Sequence, residues 1–188
     1  MRFTAVAVAA GIVIGLVARG RFSNMNRRAL RGWPLLAAGI ATQAAAGRVG
    51  GPEWTTPLVL LSYALLLGFA LFNLRLAGMG VVMIGMAANA TVIGLNDGMP
   101  IRPSAVVAAG LATPEQAERM RADVKRRPER RGDRLVVLAD IVPVAPLREV
   151  VSFGDLAIGV GIADVIVHLM RTRSRIRSKA AAPVIAAT

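Results

Sequence analysis

Residues 77–103 read AGMGVVMIGMAANATVIGLNDGMPIRP, and this stretch decides the fold class. Positions 77–95 carry no charged residue, and about 20 apolar residues suffice for a helix to cross a bilayer. The segment then breaks at Asn96, Asp97, Gly98 and Pro100. Glycine and proline end helices, and Asn or Asp side chains can satisfy the turn that follows. The stretch therefore predicts a membrane helix that ends in a polar turn.

Four further apolar blocks resemble the first one, at residues 3–18, 33–47, 58–74 and 156–170. The block at 33–47 is short and consists largely of Ala and Gly. Overall the chain is 55% hydrophobic with a mean hydropathy of +0.56. These blocks predict an all-α, polytopic membrane bundle of about five transmembrane helices. We expect one integral membrane domain over 1–170, an external loop region over about 96–155, and a basic, disordered cytoplasmic tail over 171–188.

Composition narrows the possible functions. The chain has no cysteine, which excludes disulfides, thiolate metal sites and thiol nucleophiles. Its net charge of +12 would suggest nucleic acid in a soluble protein, but basic residues beside apolar spans commonly set membrane topology. We therefore expect the lipid bilayer as partner, no nucleic acid, no cofactor, no metal and no catalytic residues.

Arginine placement predicts the orientation. Two basic segments flank the apolar blocks, and their members are Arg19, Arg21, Arg27, Arg28 and Arg31, then Arg171, Arg173, Arg175, Arg177 and Lys179. Both segments are cytoplasmic under the positive-inside tendency, so an even number of crossings separates them. Five spans in the bacterial inner membrane, with the N-terminus outside and the C-terminus cytoplasmic, satisfy this condition.

Two alternatives alter this topology. Residues 3–18 also have the outline of a cleaved signal peptide, but cleavage would place the first basic segment outside. Residues 135–147, LVVLADIVPVAPL, could form a sixth span. That segment is short and contains Asp140 and two prolines, which favours an interfacial or re-entrant segment.

The external loop carries helix signals of its own. Ser104 can cap a short apolar helix that lies on the membrane surface. Thr113 and Gln116 have the spacing of a capping box with Pro114 between them, which predicts a second helix that ends before Pro128 and serves as a lid or spacer.

Ionisable residues inside the spans are candidates for chemistry. An intramembrane charge costs about 2.5–3.5 kcal/mol on insertion scales, so it normally has a partner. Asp164 and His168 share one helical face, and Asn89 lies in another span. These three residues could form a polar path for protons. The alternative, which we favour, is that Asp164 packs against Asn89 or His168 and only fixes helix packing.

A second candidate site lies at the outer surface. Asp155 can join Ser152 in capping the last span, and the turn after residue 95 ends at the same surface. A polar pocket at this outer face would combine Asn96, Asp97, Arg148, Glu149 and Asp155.

Small residues predict close helix packing. Gly11 and Gly15 form a G-x-x-x-G pair, which lets two helix backbones approach. The partner is either another helix of the same chain, which we favour, or a second copy in a homodimer.

Three stretches carry a resemblance to a known family: MGVVMIGMAANATVIGLNDGMP, RGDRLVVLADIVPV and PLREVVSFGDLAIGVGIADVIVHL. In these the chain resembles a family of small bacterial membrane proteins, found especially among actinobacteria, that is described only as a domain of unknown function. The resemblance covers the C-terminal two-thirds apart from the charged loop helix and the tail. It implies an integral membrane protein and supplies no catalytic residues.

Three functional hypotheses follow. The first is a structural or accessory component of the bacterial inner membrane whose outer surface contacts a membrane-protein partner. The alternative is a small transporter or proton-coupled membrane protein that uses the path through Asn89, Asp164 and His168. The last is a membrane hydrolase or transferase in which Asp97 and Asp155 hold a divalent metal.

Overall fold

Helices form over all five apolar blocks. The structure, a computed structural model, describes residues 2–25, 30–48, 52–121, 123 and 125–171. The five helices are α1 (Arg2–Val17), α3 (Trp33–Ala46), α4 (Pro52–Phe72), α5 (Met79–Asn96) and α8 (Phe153–Arg171), and a short α2 (Phe22–Met25) follows α1. The predicted disordered tail, apart from Arg171, lies outside the described residues, as do Arg27 and Arg28.

Three of the helices are long and apolar enough to cross a membrane: Glu53–Phe72, Met79–Asn96 and Phe153–Arg171. This confirms the predicted fold class, a mostly helical membrane-type chain. The other two helices are shorter: α1 has 16 residues and α3 has 14. At 1.5 Å per residue they are about 24 and 21 Å long, less than the roughly 30 Å of a hydrocarbon core.

The five helices are arranged in a row, in the order α3, α4, α5, α8, α1. Each contacts its neighbours in the row, at the pairs Gly68–Leu35, Gly94–Leu60, Gly85–Ile158 and Gly11–Ala163. From these pairs and others like them, α8 and α1 run parallel, while the remaining neighbours are antiparallel.

This alternation gives the row two ends. The end that holds residues 97–152 is called the cap end, and α1, α4 and α8 begin there. The end that holds the described residues 18–25, 30–32 and 73–78 is called the basic end, where Arg31 and Asn73 exchange two hydrogen bonds. The chain therefore follows the path that five crossings require.

Glycines let α5 and α8 approach to backbone contact. A Cβ added to Gly85 would lie 2.5 Å from the Gly154 carbonyl oxygen, and one added to Gly161 would lie 2.7 Å from the Val82 nitrogen. Gly78 packs in the same way against the Gly161 carbonyl oxygen, and its φ of +86° lies in the left-handed region that glycine favours. The packing of α5 on α8 thus depends on missing side chains.

The Gly11 and Gly15 pair faces α8 of the same chain. A Cβ at Gly11 would lie 2.9 Å from the Ala163 Cα, and one at Gly15 would meet Met170 at 2.5 Å. The intramolecular alternative accounts for this face. A homodimer through it stays a prediction, one that would require α8 to move away.

The residues between α5 and α8 fold into a small cap. Its elements are β1 (Met99–Ile101), α6 (Pro103–Ala108), α7 (Pro114–Glu118), β2 (Arg126–Pro128), β3 (Val142–Val144) and β4 (Glu149–Val151), with single 3-10 turns at Val136–Leu138 and Ala145–Leu147. Strands β1 and β2 pair in parallel, and β3 and β4 pair antiparallel with Val142 opposite Val151. A core of the cap's own forms from Ile101, Ala105, Val106, Ala109 and Val150.

The cap corrects several expectations. The capping box of Thr113 and Gln116 is confirmed, but α7 ends at Glu118 and does not continue to Pro128. The chain later forms β2, whose Arg126 and Arg127 pair with Asp140 and Asp133 of the cap. Ser104 is not a helix cap either, since α6 begins at Pro103 after Arg102 without a side-chain cap. The four strands were not predicted, and a sixth helical span over 135–147 is excluded by β3 and the two 3-10 turns.

Two substitutions on α5 test the packing of this helix on α8. We expect Gly85→Ala to lower the free energy of unfolding by about 1–3 kcal/mol, because its methyl group would lie 2.5 Å from the Gly154 carbonyl oxygen and 2.9 Å from the Ile158 nitrogen, and this backbone cannot easily shift. Gly80→Ala is the matched control: no atom lies within 4 Å of its added Cβ, so it should be neutral or stabilise by up to about 1 kcal/mol. Thermal unfolding of the purified chain in mild detergent measures both. Equal effects would contradict the described contact.

Candidate functional site

Polar side chains from α5 and the start of α8 meet in the interior. The Asn89 amide nitrogen donates to Asp155 Oδ1 at 2.9 Å, and Ser152 Oγ donates to Asn89 Oδ1 at 2.8 Å. Asn89 is 1% exposed and Ser152 is fully buried. These three residues, together with Tyr63 described below, are called the junction cluster, since they join the helices to the cap.

The start of α8 organises this cluster. The Asp155 backbone N–H donates to Ser152 Oγ at 2.9 Å, and Asp155 Oδ2 accepts from the Ser152 N–H at 3.3 Å. This is a reciprocal cap, which satisfies N–H groups that a helix leaves without partners. Gly154 leaves room for Asn89, whose Oδ1 would clash with any Cβ there. The predicted capping of α8 by Ser152 and Asp155 is thereby found.

Tyr63 brings α4 into the same cluster. It is buried and interacts with the Asn89 side chain. Tyr63 lies about halfway along α4, and Asn89 lies about halfway along α5. The junction cluster is therefore deep in the helical layer and not at its surface.

A buried charge pair of the cap lies close to the cluster. Asp140 Oδ2 is 2.6 Å from Arg126 Nε, a charge contact without the alignment of a hydrogen bond. Arg126 Nη2 also donates to the Val150 carbonyl oxygen at 3.0 Å. Burial raises the pKa of Asp140 to about 6, and the charge of Asp155 adds to the increase, while Arg126 and Lys125 oppose it. Asp140 thus titrates far closer to neutrality than an ordinary carboxyl group.

A second polar group closes the end of α5. Arg127 Nε donates to the Asn96 carbonyl oxygen at 2.8 Å, and Arg127 Nη2 lies 2.6 Å from Asp133 Oδ1. The Asn96 side chain exchanges hydrogen bonds with the Arg134 backbone at 2.7 and 2.9 Å. The hydrogen bonds of Arg127 hold the pKa of Asp133 below its usual range, against the effect of burial. The positive charge of Arg127 at the C-terminus of α5 also interacts favourably with the helix dipole.

The five residues of the predicted outer-face pocket do not converge in the part of the chain that the structure describes. Asn96 belongs to the group around Arg127, and Asp155 belongs to the junction cluster. Asp97 is exposed, in the left-handed position that ends α5. Arg148 donates to the Gly110 carbonyl oxygen at 2.8 Å and does not pair with Asp97 or Asp155.

Glu149, the remaining member, holds the start of α1. Its carboxylate accepts from the backbone N–H groups of Arg2 at 2.7 Å and Phe3 at 2.8 Å. Partial burial raises the pKa of Glu149, but hydrogen bonds and positive charge at the start of the chain, these two hydrogen bonds among them, lower it to about 2. Glu149 therefore anchors α1 to the cap.

The predicted polar path is divided between two places. Asp164 Oδ1 lies 2.9 Å from His168 Nδ1, and both side chains are partly exposed. Asp164 lies beside Gly78, the residue before α5, so it is near the basic end and not near Asn89. Asp155 and Asp164 are nine residues apart, about 14 Å along α8. The partner of Asn89 is Asp155, and the partner of Asp164 is His168.

The chain matches one family model. A family model described as a family of unknown function, DUF5317, matches residues 27–167. The chain belongs to this family. The matched region contains the junction cluster, the pair of Asp140 and Arg126, and Asp164, but not α1. No curated protein and no solved structure matches.

Several site residues of this DUF5317 member were not found from sequence. Tyr63 is the only tyrosine of the chain and lies in an apolar block, which was the one available signal. Arg126, Arg127 and Asp140 gave none, because their partners are brought close only by folding. Arg127 was instead expected on the second loop helix, which was predicted to end before Pro128.

The geometry limits the chemistry of the cluster. Among the described residues there is no group of three or more His, Asp or Glu side chains placed to hold a metal ion. Asn89, Ser152 and Asp155 satisfy one another's hydrogen-bonding groups, and Tyr63 packs against them. Such an arrangement attaches the cap to the helical row.

Removal of the Asn89 amide tests this role. We expect Asn89→Ala to lower the free energy of unfolding by about 2 kcal/mol, because Ser152 Oγ and Asp155 Oδ1 would stay buried without this partner. Thr91→Ala on the same helix is the control: Thr91 is exposed and donates only to the Ala87 carbonyl, so its loss should cost less than about 0.5 kcal/mol. Thermal unfolding in detergent compares the two, and similar losses would contradict the cluster.

Asp140 predicts a pH dependence. Its folded-state pKa of about 6 lies above the ordinary aspartate pKa of 3.8, so between these pH values the folded state binds a proton that the unfolded state does not. The contribution to stability is therefore full below pH 3.8 and is lost as pH rises to about 6, by up to about 3 kcal/mol. We expect the stability difference between the wild type and Asp140→Asn to change by this amount across the window. Thermal unfolding at a series of pH values measures it.

Glu118→Gln is the control for this titration, since Glu118 is exposed on the cap and undergoes the same change from carboxylate to amide. The two variants are compared over the same pH window. A stability difference for Asp140→Asn that does not change with pH would show that Asp140 is not buried as described.

Proposed function

We propose that the protein is a multi-pass component of the bacterial inner membrane with a structural or accessory role. In this proposal the helical row anchors the cap at the outer surface, where the cap contacts a membrane-protein partner. The N-terminus is outside and the C-terminus is cytoplasmic.

Charge asymmetry supports this orientation. Of the eleven acidic residues in the chain, nine lie at the cap end or in the cap, Asp155 lies in the junction cluster and Asp164 lies near the basic end. Five exposed arginines lie at the basic end: Arg19, Arg21, Arg31, Arg75 and Arg171. The cap also carries many arginines, but it is at the loop length where charge stops controlling orientation, so the arginines of the short basic-end segments assign that end to the cytoplasm.

The two tryptophans support the same membrane placement. Trp33 begins α3 at the basic end, and Trp54 lies in the first turn of α4 at the cap end. Both are exposed, as expected of aromatic rings at the headgroup level. Along α4, Trp54 and Phe72 are about 27 Å apart, close to the thickness of a hydrocarbon core.

The observation that carries the accessory role is the junction cluster. Its polar groups lie halfway along α4 and α5, where an amide or carboxylate without partners is costly. They are used to bind α8 and the cap to these helices. A protein that serves as a rigid platform needs this kind of connection.

The second candidate is the small transporter or proton-coupled protein. The observation in its favour is that Asp140, with a pKa of about 6, is close enough to Asp155 for the two charges to interact. Against it, only apolar residues and glycines occupy 156–163 on α8 and 79–88 on α5. No polar side chain of these helices therefore bridges the roughly 14 Å between Asp155 and Asp164.

Proton flux separates these two candidates. The full chain is reconstituted in liposomes with a pH-sensitive dye, and a pH gradient is imposed with and without a membrane potential. The accessory role predicts no flux above protein-free liposomes. A flux that Asp155→Asn or Asp164→Asn abolishes, while each variant still reconstitutes as a folded protein, would establish the proton-coupled alternative.

Orientation can be tested by cysteine labelling, and the natural chain has no cysteine to remove. We expect Glu118→Cys, on the cap, to react with a membrane-impermeant maleimide in intact spheroplasts. Arg75→Cys, at the basic end, should react only after permeabilisation. The two positions are both exposed, so labelling reports sidedness and not burial. The reverse pattern would invert the proposed topology.

A further inference from the structure

We propose that the ends of α1 and α8 form a binding site for the phosphate group of an anionic phospholipid. The site consists of Arg19, Arg21 and Arg171 and is called the arginine site. It lies at the basic end, away from the junction cluster.

Backbone contacts bring the three arginines together. After α1 the chain turns at Arg19, and the Gly20 N–H donates to the Gly15 carbonyl oxygen at 2.8 Å. The Arg21 N–H then donates to the Met170 carbonyl oxygen at 3.0 Å, directly before Arg171. Gly20 packs so closely on α8 that a Cβ there would lie 2.7 Å from the Met170 Cβ. The positions of the arginines are thus fixed by the fold.

Asn24 completes this turn. Its side-chain amide donates to the same Met170 carbonyl oxygen at 2.8 Å, and α2 packs on α8. The carbonyl at the end of α8 therefore has its partners in the backbone of Arg21 and in Asn24. The three guanidinium groups are not needed to cap the helix.

The site has an excess of positive charge. All three arginines are exposed, and no ion pair joins them to a carboxylate among the described residues. Asp164, the acidic residue nearest this end, is paired with His168. The C-terminal dipoles of α1 and α8 contribute about half a negative charge each, which leaves the three arginines with a net charge of about +2. Guanidinium groups bind phosphate oxygens in a bidentate manner.

Apolar surface beside the site identifies the source of the phosphate. Val17 is 80% exposed and Phe22 is 56% exposed, and Leu16 is exposed as well. These side chains flank Arg19 and Arg21 in sequence, so the arginines lie where the apolar surface of α1 ends. A lipid offers a phosphate and acyl chains in this same arrangement. A free phosphate would make no use of the apolar residues.

Thermal stabilisation by added lipid tests the site. The full chain is purified in a nonionic detergent, and its unfolding is followed as phosphatidylglycerol, phosphatidylcholine or inorganic phosphate is titrated in. We expect saturable stabilisation by phosphatidylglycerol alone. In the triple variant Arg19→Gln, Arg21→Gln, Arg171→Gln, the lipid concentration for half-maximal stabilisation should rise by roughly tenfold to 100-fold.

The matched control carries the same charge change on the cap, as Arg119→Gln, Arg121→Gln, Arg131→Gln, at three exposed arginines. It should titrate like the wild type. Equal loss in both triple variants would overturn the site in favour of general charge attraction, and equal stabilisation by phosphatidylcholine or by inorganic phosphate would overturn the assignment to an anionic lipid. If the arginine-site variant does not fold, the three single variants, each with a smaller expected loss, replace it in the same titration.

Discussion

The buried amide of Asn89 is the constraint on which the rest of this structure depends. A polar group halfway along a membrane-type helix costs several kcal/mol unless it is hydrogen-bonded. Asn89 finds its partners in Ser152 and Asp155, more than sixty residues later in the chain. For these contacts to form, α8 must begin beside the middle of α5, and the chain between the two helices must fold to deliver it there.

The cap follows from this requirement. Strand β1 follows the end of α5 and pairs in parallel with β2, and the last strand, β4, leads directly into the start of α8. Buried pairs hold the path between them: Arg127 with Asp133 at the end of α5, and Arg126 with Asp140 near Asp155. Removal of one partner from such a pair is costly, because the other charge stays buried. The cap is therefore a fixed part of the helical unit.

The two ends of the row differ in charge, and this difference connects structure to function. In the cap three arginines pair with acidic residues, Arg102 with Glu129, Arg126 with Asp140 and Arg127 with Asp133, whereas the arginines of the basic end are exposed beside apolar side chains. An accessory membrane protein can use both ends, one as a folded surface toward a partner and the other toward the cytoplasmic leaflet. The family of unknown function to which the chain belongs leaves these roles open to test.

Sequence by itself determined the helical membrane class, the positions of the five helices, the capping box at Thr113 and the capping of α8 by Ser152 and Asp155. These features depend on runs of apolar residues and on neighbours within a few positions. Tertiary structure decided that Asn89 pairs with Asp155 and not with Asp164, and that Glu149 holds α1. It also decided that Arg127 pairs with Asp133 and does not lie on the predicted second loop helix. Those pairings join distant segments. A polar side chain can hydrogen-bond equally well to several residues of the sequence, and only the folded backbone brings one of them within reach.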